Sequence, residues 1–157
     1  MKFNYNDGGR SIYFKGNAGD CVVRALSILL NEDYKAIYNF SHNRIGHTPR
    51  NGVEKVQDIY LAKGLVYEEI SVCADDYYLD KVNFDFIVQY RDHVHAVIKN
   101  VVNDTHQKYD FYQAEGFWVK KADYQELLKI LYPDDYYKDV KLEEYEIIAT
   151  YTGHGNH

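Results

Sequence analysis

Gly16-Asn17-Ala18-Gly19-Asp20-Cys21-Val22-Val23-Arg24-Ala25-Leu26-Ser27-Ile28-Leu29-Leu30 decides how the rest of the chain is read. A polar turn with two glycines runs into a cysteine, and the cysteine opens an apolar run of helical length. Asp20 is a good N-cap residue, which places Cys21 in the first turn of a helix. A thiol there meets unpaired backbone N–H groups and the positive end of the helix dipole, both of which favour thiolate. From Val22 to Leu30 only Arg24 and Ser27 are polar, so the helix is expected to be buried. A capped core helix carrying an inert cysteine fits the same residues.

Outward from this stretch, Ser11–Phe14 reads as a strand or extended arm leading into the turn. Downstream, a helical pattern restarts at Glu32-Asp33-Tyr34, and Ile45–Gly52 is a loop with Pro and Gly punctuation. Val53–Lys63 fits a third helix stopped by Gly64. Leu65–Ile70, Phe84–Tyr90, His93–Lys99, Val101–His106, Glu115–Lys120 and Tyr145–Tyr151 read as strands, with a helix at Ala122–Leu131. Helices first and strands later predict an α+β fold with a mainly antiparallel sheet. The expected organisation is a single domain over residues 1–151, with a flexible tail over 152–157.

The second informative stretch is Asp92-His93-Val94-His95-Ala96-Val97-Ile98-Lys99-Asn100-Val101-Val102-Asn103-Asp104-Thr105-His106. With Lys99-Asn100 as a two-residue turn, His95 falls opposite Asp104 and His93 opposite His106. Facing Cβ atoms lie about 4.5–5.5 Å apart, close enough for a carboxylate to orient an imidazole. Cys21, His95 and Asp104 would then supply nucleophile, base and orienting acid. Asn17 is a candidate oxyanion-hole donor, and His93 and His106 are candidate substrate-lining residues. His93, His95, Asp104 and His106 offer a different reading, a divalent metal site.

A cysteine opening a central helix, followed far downstream by His-Ala-Val, resembles the papain-like cysteine peptidase superfamily. The residues that carry the resemblance are Gly19-Asp20-Cys21 and His95-Ala96-Val97. Gly19–Ala25, the Gly64 turn, His95–Val97 and Asp104-Thr105 also resemble a group of small phage and prophage proteins with a Gly-Asp-Cys-Val-x-Arg-Ala motif. Cys21-Val22-Val23-Arg24-Ala25 is similar to the opening of ovarian-tumour deubiquitinase helices, although Ala18 stands where those enzymes carry an acid. Papain's oxyanion-hole glutamine is replaced here by Lys15. The resemblance implies a papain-like fold with the nucleophile on a central helix. It implies a cysteine peptidase or isopeptidase that cleaves an amide through a thioester, with no cofactor. Amide transfer on the same triad, or a non-enzymatic phage inhibitor on the same scaffold, are the alternatives it leaves.

Composition bounds the partners. A formal net charge of −6 over 157 residues lacks the basic surface that nucleic-acid binding needs. No apolar run is long enough to span a membrane. The N-terminal residues show no signal-peptide pattern, so a cytoplasmic location is expected, the host's if the chain is phage-encoded. The expected partner is a protein or peptide substrate, a host protein or a ubiquitin-like conjugate. Cys21 and Cys73 are too few for a disulfide scaffold, and Cys73 reads as structural. The 17 tyrosines suit either a groove for an extended chain or an AT-rich genome.

Overall fold

A computed structural model describes residues 1–70, 81–107 and 111–133, and the account below concerns those residues. Cys73, the expected strand at Tyr145–Tyr151 and the tail lie outside them.

The turn at Lys99-Asn100 fixes the register of the sheet. Both residues take positive φ, 48° and 63°, the pair of left-handed conformations that matches a two-residue turn to strand twist. β4 (Val94–Ile98) and β5 (Val101–Asp104) therefore pair Ile98 with Val101, Val97 with Val102 and Ala96 with Asn103. β3 (Phe86–Gln89), β6 (Gly116–Lys120) and β2 (Leu65–Glu69) continue the sheet by antiparallel pairing. β1 (Lys2–Tyr5) closes the other edge, parallel to β5, giving the order β1-β5-β4-β3-β6-β2.

Helices cover both faces. α2 (Cys21–Leu30), α3 (Tyr34–Ile45) and α4 (Val56–Tyr60) pack with Tyr67, Ile87, Val94, Ala96 and Trp118 on one face. On the other, α5 (Tyr124–Leu131) packs with Val66, Phe86, Val88, Val97, Phe117 and Val119. This is the period-two alternation of a sheet buried on both sides. Asp33 caps α3 by accepting the Ala36 N–H, and Gly46 ends it at φ 82°.

The fold departs from expectation in several places. It is α+β, but the papain-like plan of N-terminal helices with a nucleophile helix on an antiparallel sheet is not formed. The sheet is mixed, because a strand precedes the helices and joins β5 in parallel. Ser11–Phe14 is not a strand: Arg10–Tyr13 forms the one-turn helix α1, entered through Gly8 and Gly9, whose φ values of 68° and 98° turn the chain sharply. The helix expected from Val53 is shorter, with α4 starting at Val56 and passing into a 3-10 turn over Leu61–Lys63.

Asp20 also behaves differently. Its side chain makes no cap bond to α2. The carboxylate is fully buried and accepts hydrogen bonds from Arg10, Arg24 and Tyr34. A buried charge needs such compensation, and two guanidinium groups provide it. The interaction ties α1, α2 and α3 together at one end of the sheet.

Candidate metal centre

The site forms where β4 begins and β5 ends. Asp104 is the last residue of β5, and its backbone carbonyl accepts the Asn6 N–H at 2.8 Å, so β1 holds that end in place. Its two carboxylate oxygens have different surroundings. Oδ1 accepts the Thr105 N–H at 2.7 Å and faces Arg24 Nη2 at 3.5 Å. Oδ2 lies 2.6 Å from His93 Nε2 and 3.9 Å from His95 Nδ1. Burial raises the carboxyl, but the hydrogen bond and charge of His93, the Thr105 N–H and Arg24 outweigh it and hold Asp104 below the usual carboxylate range.

The two histidines are in opposite states. Burial pulls the His93 imidazolium down, yet hydrogen bonds to Asp104 and Cys21, and the charges of both, carry it up to about 9. Burial dominates at His95 and pushes it down to about 4, Asp104 opposing and the neighbouring His93 and His106 adding to the fall. His95 is thus a neutral imidazole whose Nε2 is 3.2 Å from the Tyr90 hydroxyl, which leaves Nδ1 turned to Asp104.

The expected Cys21–His95–Asp104 triad does not form. Val94 and Ala96 pack against α2, so His95, between them in β4, projects from the opposite face and stacks edge-on with Tyr90 and Phe111. Cys21 is the first residue of α2, on the other side of the sheet. Asp104 lies opposite His95 as the register requires, but its close hydrogen bond goes diagonally to His93. His93 precedes β4, at the sheet end, where it bonds Asp104 and lines the same cavity as Cys21.

What the structure gathers instead is His93, His95 and Asp104, all buried, with one ligand atom from each lying within 4.8 Å of the others. His106, also expected near a metal, is exposed and lies beside His93 with ring centroids 5.5 Å apart, outside that cluster. A cavity of about 1000 Å³ opens on His93 and is also lined by Cys21, Asn17, Asp92 and His106. His95 and Asp104 lie behind His93 and do not line it. Asn17 sits in this wall with Gly16 and Gly19, and the loop is tied across the cavity by the Gly52 N–H to the Gly19 carbonyl at 2.9 Å.

No protein-family model, curated protein or solved structure matches the chain. The resemblance to papain-like peptidases, deubiquitinases and phage proteins therefore has no support from relatives, and the triad on which a cysteine-peptidase activity depended is not assembled. Fold and site together define an α+β protein with a buried His-His-Asp cluster at the end of a mixed sheet. No helix among the described residues is long and apolar enough to cross a membrane.

Proposed function

We propose that His93, His95 and Asp104 bind a divalent transition-metal ion of the zinc class. The observation that carries this is the convergence of two imidazole nitrogens and one carboxylate oxygen, from three buried residues, within 4.8 Å of one another. Two imidazoles and a carboxylate form a recurrent donor set for zinc and its neighbours, and three protein ligands leave room for a bound water. With bonds near 2.0–2.1 Å, ligand atoms around a tetrahedral zinc stand about 3.3 Å apart. The present separations of 2.6 Å and 3.9 Å lie on either side of that value, so each ligand moves by less than about 1 Å.

The second partners of the ligands favour the same assignment. Metal-binding side chains are oriented by hydrogen bonds on the atoms that do not touch the metal. Tyr90 engages His95 Nε2, and the Thr105 N–H engages Asp104 Oδ1. Arg24 opposes a second cation, but it is shared with Asp20 and faces the oxygen of Asp104 turned away from the histidines.

The test is zinc titration of the chelator-treated protein, with metal content measured after dialysis. One zinc per chain is expected for wild type, and a loss of at least 100-fold in affinity for His95→Ala and Asp104→Ala. His95→Ala is the informative variant, because its Nδ1 is one of the three ligand atoms and at 3.9 Å lies beyond hydrogen-bond distance of Asp104. Undiminished affinity in His95→Ala would refute the proposal.

A further inference from the structure

The cavity in front of His93 has another wall, built on two buried arginines. Arg10 is 4% exposed and Arg24 5%, and both line it. They share one carboxylate: Arg10 Nη1 donates to Asp20 Oδ2 at 3.1 Å, and Arg24 Nη1 donates to Oδ1. Arg24 also faces Asp104, but that carboxylate is already engaged by His93 at 2.6 Å. One more negative charge would balance the two guanidinium groups. Their N–H groups are incompletely used as well. Among the described residues, Arg10 Nη2 and Arg24 Nε are buried without a hydrogen-bond partner, and an unmade buried donor is costly. Asp20, drawn to the arginines, leaves the first turn of α2 with no side-chain cap at the same wall.

Arg10 shows the form of the missing partner. Nε and Nη2 make one edge of a guanidinium, a two-pronged fork that matches the two oxygens of a carboxylate. In Arg10 one prong, Nε, donates to the Gly16 carbonyl at 3.2 Å, and the other is unpartnered. Gly16 is exposed, and nothing lies within 4 Å of the place where its side chain would stand. Its carbonyl can therefore turn to water and release Nε with little loss of packing. We propose that the cavity binds a small organic carboxylate, held on the Nε–Nη2 edge of Arg10 in place of the Gly16 carbonyl, beside Arg24 and the start of α2. Of the charges at the mouth, Lys15 favours an anion, Asp92 is exposed to solvent, and both Asp7 oxygens are taken by the Gly9 and Ser11 N–H groups. At about 1000 Å³ the space exceeds the carboxylate itself, and Tyr5 and Phe14 offer apolar contact to the body of such a ligand. The proposal does not depend on the metal.

A ¹H–¹⁵N NMR titration of protein freed of metal, and then of chelator, tests this with N-acetylphenylalanine, its uncharged amide and inorganic phosphate as probes. Without metal, a carboxylate on the ion cannot mimic the result. N-acetylphenylalanine is expected to bind saturably and to shift the Arg10 Nε–H and the backbone amides from Gly16 to Val22. The amide should bind at least about 10-fold more weakly, because it brings no charge to the fork. Arg10→Gln should abolish the acid's advantage over the amide, with circular dichroism showing that the variant is folded. The comparison of acid and amide on wild type decides the matter even where that variant fails to fold. No saturable shift at these positions with the acid, or equal binding of acid and amide, would overturn the proposal. Tighter binding of phosphate than of the acid would overturn the carboxylate assignment, and an undiminished acid preference in folded Arg10→Gln would overturn the role of Arg10.

Discussion

A proton and a metal ion compete for the same nitrogen of His93, so the metal-free and metal-loaded proteins should respond oppositely to pH. In the unfolded chain the imidazole titrates near 6.5, and in the folded protein it is held up to about 9. A raised value stabilises the fold fully below about pH 6.5, and that stabilisation disappears as pH rises through about 9. The full contribution is on the order of 3 kcal/mol, and about 2.5 kcal/mol of it remains at pH 7. His93 is only 5% exposed, so solvent screening takes little from this figure. The perturbation is His93→Gln, which keeps a polar side chain but carries no proton in this range. Urea unfolding in chelator, from about pH 6 to pH 9.5, should show the wild-type advantage over His93→Gln shrinking by about 2–3 kcal/mol. Asp104 does not interfere: its lowered value gives stability that is present above about pH 4 and lost only in acid. With zinc the sign reverses. Each unit of pH below about 9 should cost about tenfold in apparent affinity, or about 1.4 kcal/mol of zinc-induced stabilisation once zinc saturates the site. A pH-independent gap between wild type and His93→Gln, or a zinc effect that does not grow with pH, would refute the proton-for-metal exchange.

Other substitutions test the scaffold. Asp20→Ala removes the buried counter-charge of Arg10 and Arg24 and should destabilise the protein by about 3–5 kcal/mol, seen as a fall in thermal midpoint of roughly 6–20 °C. Gly116→Ala should cost at least about 1–3 kcal/mol in urea unfolding, because the new methyl would lie 2.3 Å from the Tyr67 phenol and 2.6 Å from the Glu68 carbonyl. Replacing Lys99-Asn100 by Asn-Gly should instead raise stability by about 0.5–1 kcal/mol, since both positions already hold positive φ. Failure of that double substitution to stabilise would place the strain of the hairpin elsewhere.

The hairpin is legible from the sequence because one dipeptide, Lys99-Asn100, sets the register of both strands. The face each histidine occupies is not. Val94, Ala96 and Val97 are all apolar and all buried, so the run around His95 lacks the polar alternation that marks a solvent face. Only the packing of Val94 and Ala96 on α2 shows that His95 points away from Cys21. His93 lies one residue before β4, where strand alternation no longer binds it, and the pairing rules give no signal for its diagonal contact with Asp104. Asp20 illustrates a different gap. Its position before a helix matches an N-cap, while its true partners, Arg10 and Tyr34, are distant in sequence and carry no local pattern. β1 is missed for a similar reason: Lys2–Tyr5 is short and mostly exposed, and its strand character comes from pairing with β5.

The central claim is that a metal sits between three particular atoms. The most direct measurement is an anomalous-difference map from a crystal of the zinc-loaded protein, collected on both sides of the zinc absorption edge. The account predicts one strong peak about 2.0–2.1 Å from His93 Nε2, His95 Nδ1 and Asp104 Oδ2, with the Cys21 sulfur outside bonding distance. No peak at that point with zinc in excess, or zinc held by Cys21 instead, would contradict it.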